Sequence, residues 1–348
     1  MVEQAKSHVA EAPKPQGQQP GARPRIDALD MTKGVLVMAM VVYHSFNYST
    51  DYTLGFKYLP FLPPSFILIT GFLISRLYFT PEAARDSRVY GRLFFRGCRL
   101  LVLFTLLNLL TQLVGRRKAV GSPEGLRYLW DYSYEIYGIG GSHFAAFSIL
   151  LPIAYLLLLA PLLVLLYRAH PVLVPVIAIP VAVFCAIMSK EGDYFNVGLL
   201  GAGLLGVIAG YVPDKALLLL GRYWYTAVAA YIGYIVFTHL VWPSRFDQFL
   251  NAFLALAAIF TVCAAIGVKP FAGRELLIVG RYSLLAYIVQ IAVLQVLTRL
   301  IGRLEPFTVL FFVQMVGVGL LMILMVEGLQ WARKRVAWID ASYRLIFA

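Results

Sequence analysis

Charge is scarce in this chain: of its 348 residues 14% are Asp, Glu, Lys or Arg, while 60% are hydrophobic and the mean hydropathy is +0.75. A water-soluble domain of this length has no means of hiding so much apolar surface. Soluble classes are therefore excluded, and an all-α, polytopic integral membrane protein is expected. Cysteine is rarer still. Cys98, Cys185 and Cys263 are an odd number, sit in apolar stretches, and have no metal-ligand spacing to one another or to the five histidines. This argues against a disulfide framework and a zinc centre, and no metal is expected. Acidic residues are also few, 18 against 30 basic ones, for a net charge of +12.

The long apolar run, by contrast, is abundant. Runs of spanning length recur at about 31–49, 60–79, 93–114, 143–167, 171–188, 195–212, 223–242, 248–268, 283–301 and 307–330, which predicts about ten transmembrane helices. Basic residues gather on alternate connections, among them Arg25, the group from Arg76 to Arg99, Arg168, Lys215, Arg274, Arg281, Arg333 and Arg344. Those connections and both termini are then cytoplasmic, in a plasma membrane of the bacterial inner-membrane type. Only the Arg116, Arg117, Lys118 stretch breaks the pattern, and it also carries Glu124, Asp131 and Glu135. The positive excess is a topology and lipid-headgroup signal and needs no nucleic acid. Residues 1–24, rich in Pro, Gln, Gly and Ala, read as a disordered cytoplasmic tail and not as a signal peptide. Residues 25–335 then form one membrane domain, and 336–348 a short cytoplasmic segment.

Within the first run lie Asp30, Lys33 and His44. Lys33 and His44 are eleven residues apart, which at about 100° per residue returns a helix to nearly the same face, roughly 16 Å further on. Ionisable groups at membrane depth are costly and normally face a bundle interior or a cavity, although polar contacts between helices are the plainer alternative. In the second run, Gly71 and Ser75 make a small-x-x-x-small face for close helix approach, and Thr70 adds a hydroxyl. Pro63 and Pro64 leave backbone donors free at that helix start, where an anion or oxyanion can be met.

Two patterns are decoys. Gly201, Gly203 and Gly206 match the dinucleotide fingerprint but lie inside an apolar run with no soluble strand before them, so helix packing is the better reading. Gly-Arg-Tyr at 221–223 and again at 280–282 hints at a transporter-like repeat, yet the residues that follow do not align. Between the third and fourth runs, Tyr128, Trp130, Asp131, Tyr132, Tyr134, Glu135 and Tyr137 form an aromatic and acidic cluster. Such rings can stack on a sugar, or simply sit at the membrane interface. His143 follows as a further polar candidate.

Three segments together resemble the acyltransferase-3 family of the transmembrane acyltransferase superfamily: Arg25-x-x-x-Leu29-Asp30-x-x-Lys33-Gly34 with His44, the Phe66 to Ser75 block around Thr70-Gly71, and Gly280-Arg281-Tyr282-Ser283 to Tyr287. The basic Arg92, Arg96 and Arg99 at the third helix are similar too. The resemblance implies an O-acyltransferase that moves an acyl group, acetyl or succinyl, from cytoplasmic acyl-coenzyme A to an extracytoplasmic glycan or lipid. The residues and the resemblance together mark a candidate site. His44, Asp30 and Thr70 are the catalytic candidates; Lys33, Arg92, Arg96, Arg99 and Gly71 face the donor; His143, Tyr134, Glu135 and Gln290 face the acceptor. There are departures from the family. Lys33 stands where Arg is commoner, Gln290 where many members have His, and Gly141-Ser142-His143-Phe144 lacks the usual Glu motif, which points towards the glucan-succinylating or heparan-type branches.

The chemistry agrees with that expectation on its own terms. Transfer to a hydroxyl needs a base matched to neutral pH, which histidine supplies, and phosphates need cations such as Lys33 and the three arginines. A transporter of a small polar or anionic solute is the alternative at this stage, as is a non-catalytic lipid-binding protein. The topology is checked by cysteine labelling at Gly21 and Ala348: both should react only with reagent given access to the cytoplasm. Labelling of either from outside overturns the orientation.

Overall fold

The computed structural model describes residues 26–347 apart from 52, 115–126, 128–129, 140–145, 192–193, 242–247 and 268–271. The proposed tail at 1–24, Tyr128 and His143 lie outside the described residues. Among those described, every regular element is helical. In chain order these are α1 Asp27–Asn47, α2 Thr53–Tyr58, α3 Leu62–Tyr78, α4 Pro81–Arg85 and α5 Ser87–Val114, then a π-helical turn at Tyr134–Ile139. There follow α6 Leu150–Ala169, α7 Leu173–Glu191, α8 Phe195–Ala209, α9 Asp214–Arg222 and α10 Trp224–Val236, which continues as a π-helical turn over Phe237–Val241. The last are α11 Gln248–Ile266, α12 Ala272–Arg281, α13 Ser283–Ile301, α14 Val309–Arg335 and α15 Ala337–Phe347.

Local chemistry sets several boundaries. Pro63 and Pro64 occupy the opening turn of α3, where the missing N–H costs nothing. Thr80 accepts from the Ala83 N–H at 3.2 Å to cap α4, and Thr308 accepts from Phe311 at 3.2 Å to cap α14. Gly302, with φ of +82°, ends α13 in a conformation that side chains rarely adopt. Asp27 and Asp30 lie in the first turn of α1, where the helix dipole favours negative charge.

Each of the ten apolar runs coincides with a helix, but their lengths differ. Among the described residues, five helices are long and apolar enough to cross a membrane: Ser87–Thr111, Leu150–Ala169, Gln248–Ile266, Ser283–Ile301 and Val309–Arg335. Four more apolar helices, Leu62–Tyr78, Leu173–Ser189, Phe195–Ala209 and Trp224–Val236, are shorter, and α1 carries Asp27, Asp30 and Lys33 in its first two turns. The count of ten thus rests on hydropathy, and the helices themselves support five by length and composition. Large apolar side chains such as Phe95, Leu106, Val183, Val313 and Leu324 point outward and exposed, as a bilayer-facing surface requires.

Two glycine crossings hold the bundle together. At the first, α3 and α8 approach so closely that a Cβ on Gly71 would strike the Gly203 carbonyl, one on Gly206 the Leu68 carbonyl, and one on Gly210 the Ser75 side chain. The fingerprint-like glycines are therefore a packing seam. At the second, α12 lies against α1, where Gly280 meets the Asp30 carbonyl and Gly34 the Leu276 carbonyl. α1 is the hub: it also packs on α2, α3, α11, α13 and α14. The segment after residue 335 holds the helix α15, which packs on α14.

Gly280→Ala places a methyl on rigid backbone and should cost about 1–3 kcal/mol as an overpacked site. Gly317→Ala on α14 meets open space and should be neutral or raise stability by up to about 1 kcal/mol. Thermal unfolding in detergent measures both, and equal shifts would remove the close crossing.

Candidate functional site

One large cavity, of about 1160 Å³, opens between α1, α3, α5, α6, α13, α14 and α15. It exceeds the roughly 300–1,000 Å³ of ordinary small-ligand pockets. Asp30, Lys33, Thr70, Arg96 and Arg99 all line it. So do residues that sequence reasoning left without a role: Arg76, Arg281, Tyr282, Tyr287, Arg333 and Tyr343. At the Asp30 end the wall is strongly basic, with Lys33, Arg76, Arg96, Arg99, Arg281 and Arg333 against Asp27 and Asp30. Towards Tyr287 it becomes apolar, lined by Phe66, Leu73, Ile149, Ile153 and Leu157.

The cations differ in how far they are committed. Lys33 Nζ sits 2.6 Å from Asp30 Oδ1, and Arg281 Nε lies 3.6 Å from Asp30 Oδ2. Arg76 is buried and donates to the Val212 carbonyl at 2.9 Å. Arg92 pairs with Asp86 at 2.9 Å and lines only a smaller neighbouring cavity of about 470 Å³. Arg96 and Arg99 line both cavities, are exposed, and make no ion pair or hydrogen bond among the described residues. They are the two cations with full capacity left for an anion.

His44 lies one layer beyond the cavity. Its ring is 5.8 Å from the ring of Tyr287, which lines the cavity, and 5.1 Å from that of Tyr43. Nε2 is buried and has no hydrogen-bond partner among the described residues. Asp30 is roughly 21 Å away along the same helix, so it orients Lys33 and does not touch His44. Beyond His44, Tyr48 accepts from Gln295 Nε2 at 3.0 Å, continuing a polar track towards the far end of α1. Thr70 donates its hydroxyl to the Phe66 carbonyl at 2.9 Å. It therefore presents lone pairs to the cavity, and only rotation about χ1 would free its proton.

The remaining expected site residues are elsewhere. Gly71 is buried in the α3–α8 seam and does not line the cavity, because the backbone at Gly203 fills its open side. Tyr134 is exposed on the π-helical turn, and Glu135 beside it has a buried Oε2 without a hydrogen-bond partner among the described residues; neither lines the cavity. Gln290, one turn beyond Tyr287 on α13, is fully buried, with both amide atoms unpartnered among the described residues. Among the described residues no cluster of metal-ligating side chains occurs.

A family model described as an acyltransferase domain matches residues 26–327 of the chain. No curated protein and no solved structure matches it.

Tyr287 closes the cavity on the His44 side. With Cys98, Cys185 and Cys263 replaced by Ala, the thiol of His44→Cys should react slowly with a charged methanethiosulfonate. Adding Tyr287→Ala should speed the reaction severalfold. Unchanged kinetics would mean that Tyr287 does not separate the two spaces.

Proposed function

Since the chain belongs to the acyltransferase-3 family and is an acyltransferase, we propose that it transfers an acetyl or succinyl group from cytoplasmic acyl-coenzyme A to a hydroxyl of an extracytoplasmic glycan or lipid. The observation that carries this reading is the polarity of the cavity, basic at the Lys33 end and apolar up to the Tyr287 ring that touches His44. Phosphates suit the first part and a pantetheine arm the second. The Asp30 end faces the cytoplasm, and the shorter helices complete ten crossings with α1 and the five long ones.

Arg96 and Arg99 hold the donor phosphates, joined by Lys33, which Asp30 keeps aimed at the cavity. The thioester comes to rest by Tyr287, whose ring turns aside to join the cavity to the space around His44, while the acceptor arrives from the opposite side of the membrane, near the last turn of α1. His44 Nε2 takes the proton of the acceptor hydroxyl as its oxygen attacks the thioester carbonyl. The oxyanion is met by the Thr70 hydroxyl once rotated from Phe66. Collapse breaks the carbon–sulfur bond, and the departing thiolate takes the proton back from the imidazolium. The ester is formed, and His44 returns to its starting state.

Two variants divide binding from chemistry. His44→Ala should lower transfer about 10²- to 10⁴-fold while leaving affinity for a non-hydrolysable acyl-coenzyme A analogue within a factor of about two. Lys33→Ala should weaken that affinity, and Lys33→Arg should keep most activity because the charge remains. Calorimetric titration and radiolabel transfer with purified protein decide it: near-wild-type turnover in His44→Ala ends the reading.

A further inference from the structure

The last helix, α15, lies beyond the stretch matched by the family model, yet Tyr343 and Phe347 on it form part of the cavity wall. Its attachment is specific. Arg333, at the end of α14, donates to Asp340 Oδ1 from Nε at 2.8 Å and from Nη2 at 2.6 Å, and from Nη1 to the Tyr282 hydroxyl at 3.0 Å. Arg344 reaches the other oxygen, Asp340 Oδ2, at 2.7 Å. The bonds from Arg333 hold the Asp340 carboxyl below its ordinary range. A depressed carboxyl keeps its stabilising pair at neutral pH and loses it only as pH falls through that lowered value, so the clamp is closed under working conditions.

Above the clamp the side chains stack. The Arg333 guanidinium carbon lies 3.9 Å from the Tyr343 ring centroid, and the Tyr343 and Phe347 rings stack with centroids 4.9 Å apart and planes at 26°. Tyr343 and Phe347 are four residues apart and so share one helix face. The result is a three-layer pile of guanidinium, phenol and phenyl that ends on a ring lining the cavity, at the same basic end as Arg96 and Arg99. Cations account for recognition of phosphate but not for a flat aromatic base, which stacks on rings.

We propose that α15 is the nucleobase subsite of the donor cavity: the adenine of the coenzyme A donor adds one layer to the Arg333, Tyr343, Phe347 stack, and Asp340 holds that stack in place. This rests on coenzyme A being the donor. The free Arg96 and Arg99 take the phosphates, the stack takes the base, and the arm runs inward to Tyr287. The subsite thus belongs to a segment outside the matched domain, and the grip on the nucleoside is separable from the chemistry at His44.

The test is calorimetric titration of the full chain in detergent with two probes, a non-hydrolysable dethia analogue of acetyl-coenzyme A and the same analogue cut back to its phosphopantetheine portion. Phe347→Ala should weaken binding of the full analogue about tenfold, the scale of one base–aromatic stack, and leave the truncated probe unchanged. Asp340→Asn, which frees the helix, should give the same selective loss, and Phe347→Trp should restore affinity. Equal affinity of wild type and Phe347→Ala for the full analogue overturns the subsite and leaves the donor reading standing. Equal weakening for both probes also overturns it, since that marks a merely structural role. Failure of the wild type to bind either probe overturns the donor reading and the subsite together.

Discussion

The ion pair between Asp30 and Lys33, closed at 2.6 Å near the start of α1, is the interaction on which the rest of the arrangement depends. A lysine so largely buried is expensive without a counter-charge, and a buried aspartate is no cheaper. Each answers the other, and Arg281 approaches the same carboxylate from α12. That approach requires α12 to lie almost in contact with the α1 backbone, which Gly280 and Gly34 permit. Charge pairing and close packing are therefore one device. The seam fixes where α12 ends, hence where α13 begins, and so sets Tyr282 and Tyr287 along the cavity.

From this hub the cavity acquires its two ends. Near Asp30 the walls come from helices bearing arginines, and only some of these are spent on protein partners. Arg76 is engaged by the Val212 carbonyl and Arg92 by Asp86, while Arg96 and Arg99 make no ion pair or hydrogen bond among the described residues. Away from Asp30 the lining is aliphatic and aromatic, and the polar chemistry is reduced to Thr70, Tyr287 and, behind the Tyr287 ring, His44. Lys33 and His44 thus lie towards opposite ends of one helix, α1. A buried imidazole nitrogen, unpartnered among the described residues, is costly in a resting protein. Its presence beside the cavity end is the kind of local penalty found where a proton must be moved.

Much of this was legible in the sequence because it is written in helical periodicity. The eleven-residue separation of Lys33 and His44 places both on one face, and the small residues Gly71, Ser75, Gly203, Gly206 and Gly210 announce close approach before their partners are known. What periodicity does not carry is which helices meet. Arg281, Tyr282 and Tyr287 belong to a recognisable segment, yet nothing local says that it folds against α1. Thr70 and Gly71 are neighbours in sequence, but on a helix they point about 100° apart, so one lines the cavity and the other the seam. Arg333 and α15 were missed for a different reason. The segment after 335 is short and mixed in polarity, so hydropathy marks it off from the last apolar run without showing the amphipathic helix clamped at Asp340.

On the proposed reading, one cavity delivers an acyl group from the Arg96 and Arg99 end to His44. Photolabelling tests it most directly, using a coenzyme A thioester whose acyl group carries a diazirine, followed by peptide mapping of the irradiated protein. Adducts are expected on Tyr287 and on the stretch of α1 around His44, suppressed by excess unlabelled acetyl-coenzyme A. Competable adducts confined to other helices, with none near Tyr287 or His44, would contradict it.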